Sequence, residues 1–212
     1  MPTTAKICGL STPATLDAAV AGGASHVGFV FFRPSPRNIE LDQAAALAAR
    51  TPSHVRTVGV FVDPDDRLLD EAVHAGKLDV IQVHGASPEK IAHMRRFSGV
   101  ETWAVVPVKT RADLDASRRY AQAADRLLFD AKTPPGSTLP GGMGVRFDWA
   151  LLDGFRSPLP WALSGGLDPA NVAEAIRRTR APLVDVSSGV ESAPGVKDAG
   201  RIAAFLSVVS QV

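Results

Sequence analysis

Cys8 closes the apolar run Ala5-Lys6-Ile7-Cys8, directly before Gly9. A lone cysteine often packs as a small hydrophobe. At the exposed end of a strand it can instead serve as a nucleophile or base, with a thiol pKa lowered by nearby positive charge or helix ends. Asp130 closes a second apolar run, Leu127-Leu128-Phe129-Asp130. A carboxylate in that position must be paired, solvated or protonated. It is either a structural group tied to a loop amide or to Lys132, or a general acid whose pKa burial has raised. Arg33 and Arg37 lie in Phe31-Phe32-Arg33-Pro34-Ser35-Pro36-Arg37, where two prolines stiffen the loop and fix where a guanidinium points. Either could hold a carboxylate bidentately, with a solvated surface charge the plainer reading for Arg33. His84, before Gly85, either contacts substrate or is merely hydrogen-bonded.

Two further stretches bear on anions. Leu163-Ser164-Gly165-Gly166-Leu167-Asp168-Pro169 and Val184-Asp185-Val186-Ser187-Ser188-Gly189 each run from apolar residues into Gly or Ser and then toward a helical segment. Unpaired backbone N–H groups at Gly165, Gly166, Ser187, Ser188 and Gly189, aided by a helix N-terminus, would hold a phosphate. Asp185 reads as structural, and Asp63 and Asp168, each before proline, as helix caps.

The elements that must position these groups alternate. Strands are expected at 5–8, 26–31, 55–62, 80–84, 102–106, 126–130, 161–164 and 183–187. Helices are expected at 13–21, 42–49, 64–75, 88–97, 112–121, 169–179 and 196–208, with a short piece at 147–152. The strands are apolar on both parities, which fits a parallel sheet buried under helices on each face. Alternation alone permits an open doubly wound sheet or a closed (β/α)8 barrel. The unusual residues nearly all follow strands, and a barrel gathers them on one rim, so an α/β single-domain (β/α)8 TIM barrel over 1–212 is the expected fold. Residues 133–144, rich in Pro and Gly, are expected to form a loop over that rim.

Composition narrows the function. The 212 residues carry 23 Lys+Arg against 22 Asp+Glu, a net charge of +1, with no basic stripe to attract nucleic acid or a membrane surface. One cysteine excludes an intrachain disulfide. The histidines are scattered, without metal-ligand spacing. The start of the chain lacks a signal-peptide pattern and no run reaches membrane-span length, so a cytoplasmic protein is expected.

Lys6-Ile7-Cys8-Gly9-Leu10, Ser35-Pro36-Arg37-Asn38-Ile39, Val58 to Val62, Ile81-Gln82-Val83-His84-Gly85 and Phe129-Asp130-Ala131-Lys132 resemble, in order, the phosphoribosylanthranilate isomerase family. So do Gly141 to Trp149, Leu163 to Val172, Val184 to Glu191 and Pro194 to Asp198. The resemblance spans nearly the whole chain. It implies a metal-free and cofactor-free Amadori rearrangement in tryptophan biosynthesis. N-(5-phosphoribosyl)anthranilate, a phosphorylated aminoaldose, would become 1-(2-carboxyphenylamino)-1-deoxyribulose 5-phosphate. It also implies Cys8 as general base, Asp130 as general acid and Arg37 on the anthranilate carboxylate. Gly165, Gly166, Ser187, Ser188 and Gly189 would hold the phosphate end together with the loop carrying Gly142 and Gly144, in a monomer or homodimer. Met143 and Ser164 depart from the family pattern. The related isomerase of histidine biosynthesis looks to use two Asp residues, where this chain has Cys8 and Asp130. A metal-dependent epimerase and a non-catalytic phosphate-binding barrel are the remaining alternatives.

Overall fold

The computed structural model describes residues 2–134, 136, 141–142 and 144–212. The barrel strands are β1 (Thr4–Cys8), β2 (His26–Phe31), β3 (Arg56–Val62), β4 (Val80–His84), β5 (Glu101–Val108), β6 (Arg126–Ala131), β7 (Trp161–Leu163) and β8 (Leu183–Val186). Each pairs in parallel with the next, and β1 also pairs with β8, so the sheet closes into a barrel. Every residue of β2, β4 and β8 is buried. One parity faces the barrel interior and the other lies under helices, which is why the sequence shows apolar runs instead of alternation.

Six of the helices are α1 (Pro13–Ala21), α2 (Leu41–Arg50), α3 (Asp66–Ala75), α4 (Pro88–Ser98), α5 (Arg111–Ala116) and α6 (Val172–Thr179). Local chemistry starts several of them. Thr12 and Ser87 accept from the backbone N–H groups of Thr15 and Lys90, and each precedes a proline in the first helical turn. Asp63 does not cap α3 as expected: Asp65 does, accepting from Leu68 N at 2.8 Å, while Asp63 sits at φ 44. The expected helix over 112–121 tightens after Ala116 into a 3-10 segment, Ser117–Tyr120. Among the described residues between β6 and β7, the helical structure is a 3-10 turn, Trp149–Leu152.

The chain end differs most from expectation. Val196 does not begin a helix. Glu191–Ala193 (β9) and Val196–Lys197 (β10) form an antiparallel hairpin through Pro194-Gly195, with Gly195 at φ 81. α7 (Ala199–Ser210) starts only after Asp198, whose side chain accepts from Arg201 N at 2.8 Å. The helical periodicity of Ile202, Phe205, Leu206 and Val209 is real but begins three residues later than the apolar content suggests.

Two cores result. One lies between strands and helices, and a smaller one fills the barrel with Val30, Val58, Val60, Val80, Trp103, Val105 and Leu128 around Cys8. Within that interior Lys6 and Asp185 pair at 2.9 Å across the β1–β8 seam, where they are register partners. Phe205 of α7 is fully buried in the outer core. Phe205→Ala should cost about 3–5 kcal/mol of stability, read as a lower denaturant midpoint at unchanged slope.

Candidate functional site

The carboxyl ends of the parallel strands open into one cavity. Cys8 from β1, His84 from β4, Asp130 from β6, Arg37 from the loop after β2, and Gly142, Gly144, Gly165, Gly166, Ser187 and Ser188 all line it. Gly189 lines an adjoining hollow with Gly144, Gly166 and Ser188. Residues far apart in sequence meet here because a barrel delivers every strand end to the same rim. Met143 and most of 135–143 fall outside the described residues.

Asp130 is buried, and its carboxyl pKa rises to about 7. Loss of hydration is the main cause and the Asp185 charge the second. The backbone N–H of Ala131, which donates to Oδ1 at 2.9 Å, a hydrogen bond with Ser164 and the Lys6 charge pull the other way. An amide tie and a pKa raised by burial thus coexist at Asp130. It is tied to an adjacent amide, and it is also a proton-holding group in a cavity. Lys132 is not its partner; its ammonium lies 3.7 Å from Asp113. Gly165 at φ 93 leaves the space this needs, since a Cβ there would come 2.7 Å from Ala131 N and 3.1 Å from Asp130 Oδ1.

Cys8 corrects an expectation. Its thiol is pushed up, not down, because burial outweighs the pull of Lys6; Asp185 adds to the rise and Lys197 opposes it. His84 is driven down to about 4 by burial and, secondarily, by Lys6, so it is neutral at pH 7. Its Nε2 lies 3.4 Å from Gln82 Nε2, and it also borders the cavity.

Arg33 is exposed and Arg37 buried. Arg37 does hold a carboxylate bidentately, but an internal one: Nε and Nη2 donate to the two oxygens of Glu191 at 2.7 and 2.8 Å. Nη2 also donates to the Gly142 carbonyl at 3.1 Å. Glu191 further accepts from Lys197 Nζ at 2.6 Å and Gly195 N at 3.2 Å, and Lys197 donates to Ser187 O at 3.0 Å. Four donors on one carboxylate keep it ionised, so it holds Arg37 and the Ser187 turn in one network. Glu191, Lys197, Lys6 and Asp185 were not selected as site residues from the sequence. For Lys6 the available signal was a charge inside an apolar strand at the parity of Cys8. For Glu191 and Lys197 it was a Pro-Gly turn between them, hidden by reading 196–208 as helix. Asp185 lines the cavity as well as pairing with Lys6.

The two glycine- and serine-bearing turns are not helix N-termini. Asp168 caps a turn, accepting from Ala170 N and Asn171 N at 2.8 and 3.0 Å, and α6 starts at Val172. Ser188–Val190 is a 3-10 turn followed by the hairpin. Gly189 is required by a close approach: a Cβ would fall 1.9 Å from the Leu167 carbonyl oxygen. The two turns therefore pack against each other, and any anion they hold relies on local N–H groups more than on a helix macrodipole. Among the described residues no three His, Cys, Asp or Glu side chains are placed to hold a metal ion, and no helix is long and apolar enough to cross a membrane.

The raised Asp130 pKa has a stability consequence with a definite sign. Between the ordinary 3.8 and about 7 the unfolded chain has lost this proton while the folded one retains it. Stability therefore falls as pH rises through that window. Asp130→Asn, which cannot ionise, should flatten the pH dependence of the unfolding free energy between about pH 4 and 7. An unchanged slope in chemical denaturation would contradict the assignment.

Known proteins place this architecture. The family model for N-(5'phosphoribosyl)anthranilate (PRA) isomerase matches residues 5–208. An N-(5'-phosphoribosyl)anthranilate isomerase of Zymomonas mobilis subsp. pomaceae is 53% identical over 206 residues, 96% of each chain. The crystal structure of phosphoribosyl anthranilate isomerase from Thermotoga maritima superposes with a TM-score of 0.87 at 33% identity, covering 99% of this chain and 100% of that one. Another such isomerase, solved in complex with reduced 1-(o-carboxyphenylamino)-1-deoxyribulose 5-phosphate, gives 0.84 at 30% identity over 99% and 100%. With one family profile covering nearly its whole length, the chain belongs to the N-(5'-phosphoribosyl)anthranilate isomerase family.

Proposed function

We propose that this barrel rearranges N-(5-phosphoribosyl)anthranilate to 1-(2-carboxyphenylamino)-1-deoxyribulose 5-phosphate in tryptophan biosynthesis, with Cys8 as general base and Asp130 as general acid. Family membership supports the reaction. The observation that carries the assignment of roles is that a thiol and a proton-holding carboxyl, from β1 and β6, face one cavity between an arginine and a glycine–serine surface. We take the protein to be a cytoplasmic monomer or homodimer that binds only its small-molecule substrate, without metal or cofactor.

Asp130 gives its proton to the furanose ring oxygen as the C1–O bond breaks and the anilino nitrogen forms a Schiff base with C1. That cation acidifies the C2 hydrogen, which the Cys8 thiolate removes. The electron pair left at C2 forms the C1–C2 double bond of an enolamine. Tautomerisation then yields the ketone at C2 and the secondary amine at C1. The site's anchors hold the two ends of the substrate. Arg37, with Glu191 bracing it, suits the anthranilate carboxylate, and the turns at Gly165, Gly166, Ser187, Ser188 and Gly189, with Gly142 and Gly144, suit the phosphate. Binding energy at these ends, remote from C1 and C2, orients the reacting bonds. His84, neutral at pH 7, can contact the substrate without adding charge.

Burial favours the protonated form of both catalytic groups, and Asp130 ionises first. The reactive combination, thiolate with carboxylic acid, is the minor isomer of the singly deprotonated site. Turnover should accordingly rise through about pH 7 and decline only above the raised thiol pKa. Cys8→Ala and Asp130→Asn should each lower kcat by about 10²- to 10⁴-fold while the reduced product analogue still binds. Decay of anthranilate-type fluorescence on mixing with the aminoaldose reads the turnover; near-normal kcat in either variant would dismiss its role.

A further inference from the structure

Lys6 lies two residues before Cys8 on β1, so both side chains project into the barrel. It has no solvent exposure, and its Nζ lies 2.9 Å from Asp185 Oδ1. Gly28 of β2 is the register partner of Cys8. A Cβ at Gly28 would come 3.1 Å from Cys8 Cα and 3.2 Å from Lys6 Nζ. The missing side chain thus leaves a notch that the ammonium occupies beside Cys8. A buried ion pair is often no more stabilising than hydrophobic residues of equal volume, so folding stability alone does not account for a lysine here.

We infer that Lys6 is a positioning residue for proton transfer: held by Asp185 in the Gly28 notch, its ammonium is the counter-ion of the Cys8 thiolate. The inference rests on Cys8 being the base in the proposed reaction. Charged groups act on Cys8 from three strands. Lys6 on β1 opposes the rise that burial imposes on the thiol, Asp185 on β8 reinforces it, and Lys197 on β10 opposes it. Lys197 is already bound to Glu191. Burial works to lower Lys6, but Asp185 and Cys8 outweigh it and leave its pKa raised, so it remains charged through neutrality. Lys6 also acts on Asp130 and His84, which line the cavity, favouring ionised Asp130 and neutral His84. In the cycle the thiol first loses its proton to solvent. The thiolate then takes the C2 proton and becomes a thiol again, and Lys6 keeps its own proton throughout.

Cys8 is the only cysteine, so alkylation by iodoacetamide reports on it alone and needs no substrate. In Lys6→Met the pH midpoint of alkylation should move upward by about one unit, slowing alkylation near pH 8 by about tenfold. kcat at that pH should fall by a similar factor, with KM changing less than about twofold. Asp185→Asn removes the anion but leaves the ammonium and should move the alkylation midpoint downward. A purely structural pair, loosened by either change, would shift both variants the same way. The double variant Lys6→Met/Asp185→Leu leaves no unpaired charge if Lys6→Met alone fails to fold, and it should also alkylate more slowly than the wild type. Midpoints unmoved, or moved together, in folded variants would overturn the role of Lys6. Normal alkylation shifts without any isomerisation by the wild type would instead reject the proposed reaction.

Discussion

An ion pair sits on the seam where the barrel closes. Lys6 and Asp185 are register partners in the β1–β8 ladder, and the ladder brings together the first and last strands of the sheet. Both charges are buried, so each needs the other. Their pairing places a cation and an anion directly beneath the open cavity. The consequences run upward through the site: the pair's charges act on Cys8, Asp130 and His84 from below. Much of the remaining interior is apolar, with Trp103, Val58, Val80 and Leu128 excluding solvent and giving those charges their reach.

A second network does at the rim what the first does inside. Glu191 accepts from Arg37, Lys197 and Gly195, and so connects the loop after β2 with the hairpin after β8. The Arg37 guanidinium is therefore held in one orientation by the fold itself. The hairpin that delivers Glu191 and Lys197 is short and would be marginal by itself. It persists because Asp198 N donates to the Val190 carbonyl at 2.9 Å and Gly195 packs against the backbone of Pro36.

Much of the scaffold was legible in the residues. β2 and β4 have the bounds expected from their apolar runs, and α1 the bounds set by Thr12-Pro13 and Gly22. Such signals are local: a cap, a proline or a run of buried residues acts within a few positions. The errors occurred where local signals conflicted with packing. Asp63 and Asp168 both look like caps before proline, yet each helix starts later, at Asp66 and Val172. The apolar residues after Val196 suggested one long helix, but Pro194-Gly195 turns the chain back on itself first.

From the sequence came the strand–helix alternation, the gathering of Cys8, Asp130 and Arg37 at strand ends, and the resemblance that unites them. It could not supply the environment of each group. Whether a thiol is lowered by a neighbouring cation or raised by burial depends on how much water the closed barrel excludes. Whether Arg37 meets solvent or Glu191 depends on a contact across 154 residues of chain. Desolvation and long-range charge pairing are properties of the assembled volume, and only the tertiary structure decides them.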